Sequence, residues 1–182
     1  MNKEAIIAYY EKGGEKNRLE LDYSMLEGIR TREIISRFLP DHSIHILDAG
    51  GGTGFYSFWL KELGHYTTLI DLSPYNIEAA KEYGSLHNVQ LDGYGIADAT
   101  SLDLEDNRFD MVLMMGPLYH LIEKNDRIKA LSEAKRVLKP GGILLAAVIS
   151  RYASLLDGFR RNLISDEASK GYLFRTWKQG YT

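Results

Sequence analysis

Short apolar runs alternating with helical periodicity constrain this chain more than any other feature of it. IHIL (44–47), TTLI (67–70), FDMVLMM (109–115) and GILLAAVI (142–149) are largely apolar and bounded by glycine, proline or aspartate. Strands buried on both faces read this way. A fifth run, VQLDGYGI (89–96), is interrupted by glycines and an aspartate and gives a weaker strand signal. Between the runs the apolar spacing is helical. Tyr56, Trp59, Leu60 and Leu63 share one face, and Ser73-Pro74 supplies a cap and a first-turn proline ahead of YNIEAAKEYGSL. Ile128, Leu131, Ala134, Lys135 and Leu138 form another stripe, ended by KPGG at 139–142. This alternation implies parallel strands joined by right-handed crossovers, so the expected fold is α/β, a doubly wound, mostly parallel sheet. Ahead of it, 18–39 is expected to be an amphipathic helix with Leu26, Ile29, Ile34, Ile35 and Phe38 apolar, and 3–11 a further short helix.

In such sheets ligands bind beyond the carboxyl ends of the strands, where the strand order reverses. Four glycines stand there, in LDAGGGTGFY (47–56), directly after the first strand. Glycine gives up about 0.5–1 kcal/mol where a helix or strand could have had alanine. So many together indicate a turn lying against a ligand, with N–H groups and a helix N-terminus facing its polar parts. A dinucleotide fingerprint, G-x-G-x-x-G, would place Phe55 at its last position, too bulky for close strand–helix packing. That disfavours a nicotinamide dehydrogenase.

The pattern that does match is apolar-Asp-x-Gly-x-Gly-x-Gly, from Leu47 to Gly54. Here the chain resembles the class I S-adenosylmethionine-dependent methyltransferases, in particular their UbiE-like group. Four further stretches carry the resemblance in order: LIDLSP at Asp71, IADATSL (96–102), FDMVLMMGPLYHL (109–121) and RVLKPGGILLAAV (136–148). The resemblance implies S-adenosylmethionine as cofactor. It places Asp48 near the cationic end, directly or by ordering Gly50, Gly51 and Gly52. Asp71 and the adjacent Leu72 fall at the ribose, Asp98 and the Ala99 N–H at the adenine, and the Met115 and Gly116 carbonyls at the ammonium.

Methyl transfer from a sulfonium needs chiefly alignment at about 3–3.5 Å, so the reaction class guarantees no catalytic residue. Tyr119 and His120 after the fourth strand, and Tyr9 and Tyr10 in a leading helical lid, are the candidate acceptor-side residues. In similar proteins a segment like EKNRLE (15–20) implicates Arg18 in ordering the lid or reaching the cofactor carboxylate. The Asn/Asp-Pro-Pro-aromatic pattern of many nucleobase and glutamine methyltransferases is replaced by Gly116-Pro117-Leu118-Tyr119. With a net charge of −3 and no base-stacking motif, nucleic acid is disfavoured and a small-molecule acceptor expected. The tail from Arg151 onward carries +3 and the rest −6, a division read as a solvated basic surface.

No stretch approaches the ~18 apolar residues of a membrane span, the apolar run in the opening MNKEAIIAYYEKGG is too short for a signal peptide, and there is no cysteine, so a soluble cytoplasmic protein is expected. The expected division is an N-terminal helical lid (1–40), a cofactor-binding core (41–150) and a C-terminal helix and tail (151–182). Related enzymes continue past the fifth strand with a helix and two more strands, but only 33 residues follow Ile149. RYASLLDGFRRNLI (151–164) is expected to be that helix and GYLFRTW (171–177) one strand or a loop, so the full C-terminal strand pair is lacking. On the order 3-2-1-4-5, strand five would be a bare apolar edge, which isolated proteins avoid. Either the chain is a piece of a longer one, or the tail or a second copy in a homodimer covers that edge. The alternative to an enzyme is a cofactor-binding module or truncated pseudoenzyme acting through a partner.

Overall fold

The computed structural model describes residues 22–150 and 152–179. The chain divides after Ala147 into two compact units. The first holds helix α1 (Asp22–Ser36), then β1 (His45–Ala49), α2 (Phe55–Glu62), β2 (Tyr66–Asp71), α3 (Pro74–His87) and β3 (Gly93–Ile96). It continues with β4 (Phe109–Met114), the short α4 (Pro117–His120), α5 (Lys124–Val137) and β5 (Leu138–Ala146). All five strands are parallel, in the order β3-β2-β1-β4-β5. The order reverses between β1 and β4, the topological position of ligand sites in open α/β sheets.

Alternate residues of each central strand feed separate cores, as a sheet covered on both faces requires. Leu47, Ala49, Val112 and Met114 pack with Ala130, Ala134 and Val137 of α5. Ile46, Met111 and Leu113 pack on the other face with Ile35 of α1 and with Tyr56 and Leu60 of α2. Ser73 caps α3 as expected, accepting from Asn76 N, with Pro74 in the first turn.

The apolar stripes of two helices differ from their expected faces. On α5, Ala130, Ala134 and Val137 are fully buried while Ile128 and Leu131 are exposed. Small residues let the helix approach the sheet closely, and the larger ones are left outside. On α1, Ile35 is buried, but Leu26, Ile29 and Ile34 and, just past its end, Phe38 are exposed. KPGG does follow α5, yet it belongs to β5 rather than to a free turn. Phe109 pairs with Leu138 and Met111 with Ile143, so the extra residues are looped out as an irregularity in which Gly141 has φ +80°. The strand consequently spans 138–146 rather than 142–149.

The second unit is helical. Helix α6 (Ala153–Arg160) and a 3₁₀ turn (Leu163–Ser165) precede α7 (Glu167–Gln179), with Leu173 buried beside Gly158. GYLFRTW, expected as a strand or loop, therefore lies in a helix. Among the described residues no strand follows β5. None of the described helices is long and apolar enough to cross a membrane.

Candidate functional site

At the carboxyl ends of the strands a cavity opens, where open α/β sheets hold their ligands. Gly50 and the Gly116-Pro117 pair line one side, Asp71-Leu72 and the 97–99 segment another, and His120 and Leu121 contribute the rest. The loop, the end of β2, the segment after β3 and the segment after β4 thus meet as the spacing of their motifs predicts.

The glycine loop is fastened to the sheet, where Gly50 N and Gly51 N both donate to Ile70 O at 2.8 and 3.3 Å. Gly50 has φ +70°, and a Cβ there would lie 2.5 Å from Pro117 Cγ. At Gly51 a Cβ would fall 2.5 Å from Asp48 Oδ2 and 2.6 Å from Leu69 Cδ1. Main chain is therefore pressed against the protein below, and side chains are excluded for that reason as well as by the bend. Phe55, which weighed against a dinucleotide fingerprint, turns toward α1, with the Arg32 guanidinium 4.2 Å from its ring centre.

Asp48 lies beneath the loop and is absent from the cavity lining. It is 1% exposed. Its Oδ2 accepts from Ser57 Oγ at 2.7 Å, and its Oδ1 has no hydrogen-bond partner among the described residues. Burial pushes its carboxyl up to about 6, against the opposing Ser57 hydrogen bond and with some help from the Asp71 charge. Of the two roles open to Asp48, ordering the glycine loop is the one its position favours.

Asp71 faces the cavity from the end of β2 and also ties two turns together. Its Oδ2 accepts from Gly52 N at 2.9 Å, and its Oδ1 from Ser73 N at 2.9 Å and Asn76 Nδ2 at 3.0 Å. A carboxylate offers roughly four lone-pair directions, so acceptor capacity remains on the oxygen shared with the glycine loop. Asp98 is braced by its own turn, with Oδ1 accepting from Thr100 N and Thr100 Oγ1, both at 2.8 Å. Bare main chain, two carboxylates and the small apolar faces of Ala97 and Ala99 suit a nucleoside. Its ring can lie on apolar surface while the carboxylates receive hydroxyl or amino hydrogens.

The other expected residues divide. Leu72, Ala99, Gly116 and His120 line the cavity. Met115, expected to act through its carbonyl, is not in the lining, and its side chain packs against the core that includes Ile35. Gly51, Gly52 and Tyr119 are not in the lining either, although Gly52 bonds Asp71 and the Tyr119 ring lies 4.9 Å from that of His120. Tyr9, Tyr10 and Arg18 lie outside the described residues. Ala97, Pro117 and Leu121 line the cavity without having been singled out. Each stands inside a quoted motif, which was the available signal.

A family model described as a methyltransferase domain matches residues 47–146, more than half of the chain. A ubiquinone biosynthesis O-methyltransferase from Methylocella silvestris is 32% identical over 62% of this chain and 42% of the relative. A ubiquinone/menaquinone biosynthesis C-methyltransferase, UbiE, from Zymomonas mobilis is 34% identical over 57% of this chain and 41% of the relative. The chain spans less than half the length of either curated relative. A crystal structure of an S-adenosylmethionine-dependent methyltransferase from Methanosarcina mazei superposes with a TM-score of 0.61 at 26% identity, over 75% of this chain and 66% of that one. The matched segment runs from the glycine loop to the end of β5 and includes every element around the cavity, so the chain belongs to the methyltransferase domain family, as a class I member of the UbiE-like group.

Proposed function

We propose that this protein binds S-adenosylmethionine in the cavity above β1 and β2 and transfers its methyl group to a small-molecule acceptor. The observation that carries the reading is the junction of Asp71 with Gly52, which sets a carboxylate from β2 against bare main chain from the glycine loop at 2.9 Å. On this reading Asp71 accepts from the ribose hydroxyls, and Leu72 packs beside the sugar. Asp98 accepts from the adenine amino group, and the Ala99 N–H donates to the ring. The Gly116 carbonyl receives the ammonium, while Asp48 holds the loop from below and adds negative potential beneath the cationic end.

When bound, the cofactor supplies an already activated methyl electrophile, so the chain's main task is to orient the partners and exclude water. His120 stands on the cavity wall, and imidazole is the side chain suited to take a proton near neutral pH when an acceptor must lose one. The two relatives act on oxygen and on carbon by their names, so both kinds of nucleophile belong in the test. The same reading has the protein act in the cytoplasm on a small molecule rather than nucleic acid, with a second copy covering the β5 edge; a solution mass measurement checks the last point.

Calorimetry with S-adenosylmethionine and S-adenosylhomocysteine is the direct experiment. Micromolar affinity, about −8 kcal/mol, is expected, followed by methyl transfer to a member of a panel of phenols, quinones, amines and acids. Absence of binding to either compound refutes the reading. Binding without transfer to any acceptor favours a cofactor-binding module instead.

A further inference from the structure

The wall that carries Asp98 and Ala99 belongs to the long connection between β3 and β4, and a pair of charged residues outside the cavity grips that connection. Arg136, in the last turn of α5, donates through Nη1 to Leu104 O and to Asp106 Oδ1, each at 2.6 Å. Its Nη2 reaches Leu102 O at 2.8 Å. Glu133, one turn earlier, receives Arg136 Nε at 2.9 Å and Nη2 at 2.8 Å. Glu133 Oε2 also accepts from Leu102 N at 2.7 Å. Leu102 is thus held by both its N–H and its carbonyl, and its side chain is buried in the core that Ala97 and Ala99 pack against.

The grip is transmitted over a short distance. Ser101 N donates to Asp98 O at 2.9 Å, and the Asp98 carboxylate is braced by Thr100. The chain from the cavity wall to Leu102 is one hydrogen-bonded turn, whose far end is anchored by Glu133 and Arg136. An exposed ion pair contributes little by itself. This pair is a bidentate fork that also binds the main chain of Leu102 and Leu104 and the Asp106 carboxylate in the loop, which makes it a tether rather than a surface contact.

We propose that Glu133 and Arg136 are positioning residues for the adenine-side wall of the cavity, holding 102–106 so that Asp98 and Ala99 are pre-ordered for the ligand. The inference rests on the cofactor reading above. Without the grip, the wall would be ordered only on binding, and affinity would fall by about tenfold, the size expected when one more residue must be fixed at that moment.

The test compares wild type, Arg136→Gln, Glu133→Gln and Glu133→Ala by calorimetry with S-adenosylhomocysteine and by amide exchange of the ligand-free proteins. Arg136→Gln and Glu133→Ala should bind about tenfold more weakly, with faster exchange at Ser101 and Leu102 and unchanged exchange in β1 and β2. Glu133→Gln keeps an oxygen for the Leu102 N–H but loses one arm of the fork to Arg136, so it should fall between wild type and Glu133→Ala in both readouts. A folded Arg136→Gln protein with wild-type affinity overturns the inference, whatever its thermal stability. If that variant does not fold, the Glu133 pair decides, since equal losses in Glu133→Gln and Glu133→Ala would also overturn it. A wild-type protein that fails to bind S-adenosylhomocysteine overturns the cofactor reading and this inference together.

Discussion

Asp48→Asn isolates the buried carboxylate beneath the glycine loop. In the folded protein burial raises its carboxyl from 3.8 to about 6. A raised carboxyl pKa means that between about pH 4 and pH 6 the folded state binds more protons at this site than the unfolded state. Its ionisation therefore opposes folding; the penalty is absent below about pH 4 and complete above about pH 6. At 1.36 kcal/mol per pKa unit the shift corresponds to about 3 kcal/mol. Asparagine preserves the shape and removes the titration. It also puts an amide N–H where Oδ1 has no partner, which costs a pH-independent 1–3 kcal/mol or so. The slope is accordingly a cleaner readout than the absolute difference. Glu133, Asp92 and Asp110, whose carboxyls are held below their ordinary values, lose stability on acidification in both proteins and cancel in the comparison. Urea unfolding of the ligand-free proteins, followed by circular dichroism from pH 7.5 down to 4, should show wild type gaining about 3 kcal/mol on the variant, most of it between pH 6 and 4. Parallel stability curves across that range would refute the assignment of a buried, ionised Asp48.

Ser57→Ala removes the hydroxyl that donates to Asp48, so the acid-side gain in wild-type-like backgrounds should begin at higher pH; the same unfolding series, with its midpoint moved upward, checks it. Asp71→Asn cannot accept from Gly52, Ser73 and Asn76 with the same set of oxygens, so it should weaken S-adenosylhomocysteine binding by about 1–3 kcal/mol and loosen the glycine loop, read by calorimetry and by faster exchange at Gly52. Gly51→Ala drives a methyl group to 2.5 Å from Asp48 Oδ2 and 2.6 Å from Leu69; overpacking of that kind should lower stability by about 1–3 kcal/mol in thermal unfolding. Saturating cofactor at about 100 times its dissociation constant should stabilise the wild type by about 2.7 kcal/mol, and an unmoved melting temperature would contradict binding to the folded state.

The features legible in the sequence were those written by neighbours along the chain. The glycine loop follows β1 within a few residues, Ser73-Pro74 caps the helix it precedes, and the strand runs carry their own apolar signature. The β3-β2-β1-β4-β5 order follows from the matched motifs because crossover handedness leaves few alternatives. The cavity-facing positions of Asp71, Asp98 and Gly116 were readable for the same reason, since each closes or follows a strand at the end of the sheet where ligands bind.

What stayed hidden depends on partners far away in sequence. Periodicity ranked Ile128 and Leu131 as core, yet the face of α5 that meets the sheet is set by how closely the helix can approach, and Ala130 and Ala134 allow the closer contact. Asp48 could be placed in a motif but not given a depth: only its location under Gly51 separates a carboxylate that touches ligand from one that shapes the loop. The grip of Arg136 on Leu102 and Leu104 spans more than thirty residues and leaves no periodic trace at either end. A strand terminus can hold an aspartate in the right place by local geometry alone, whereas the loop wall opposite it has no such frame and needs a side chain from another helix to fix it. On the proposed reading, the wall carrying Asp98 and Ala99 should therefore be the more sensitive to substitutions remote from the ligand.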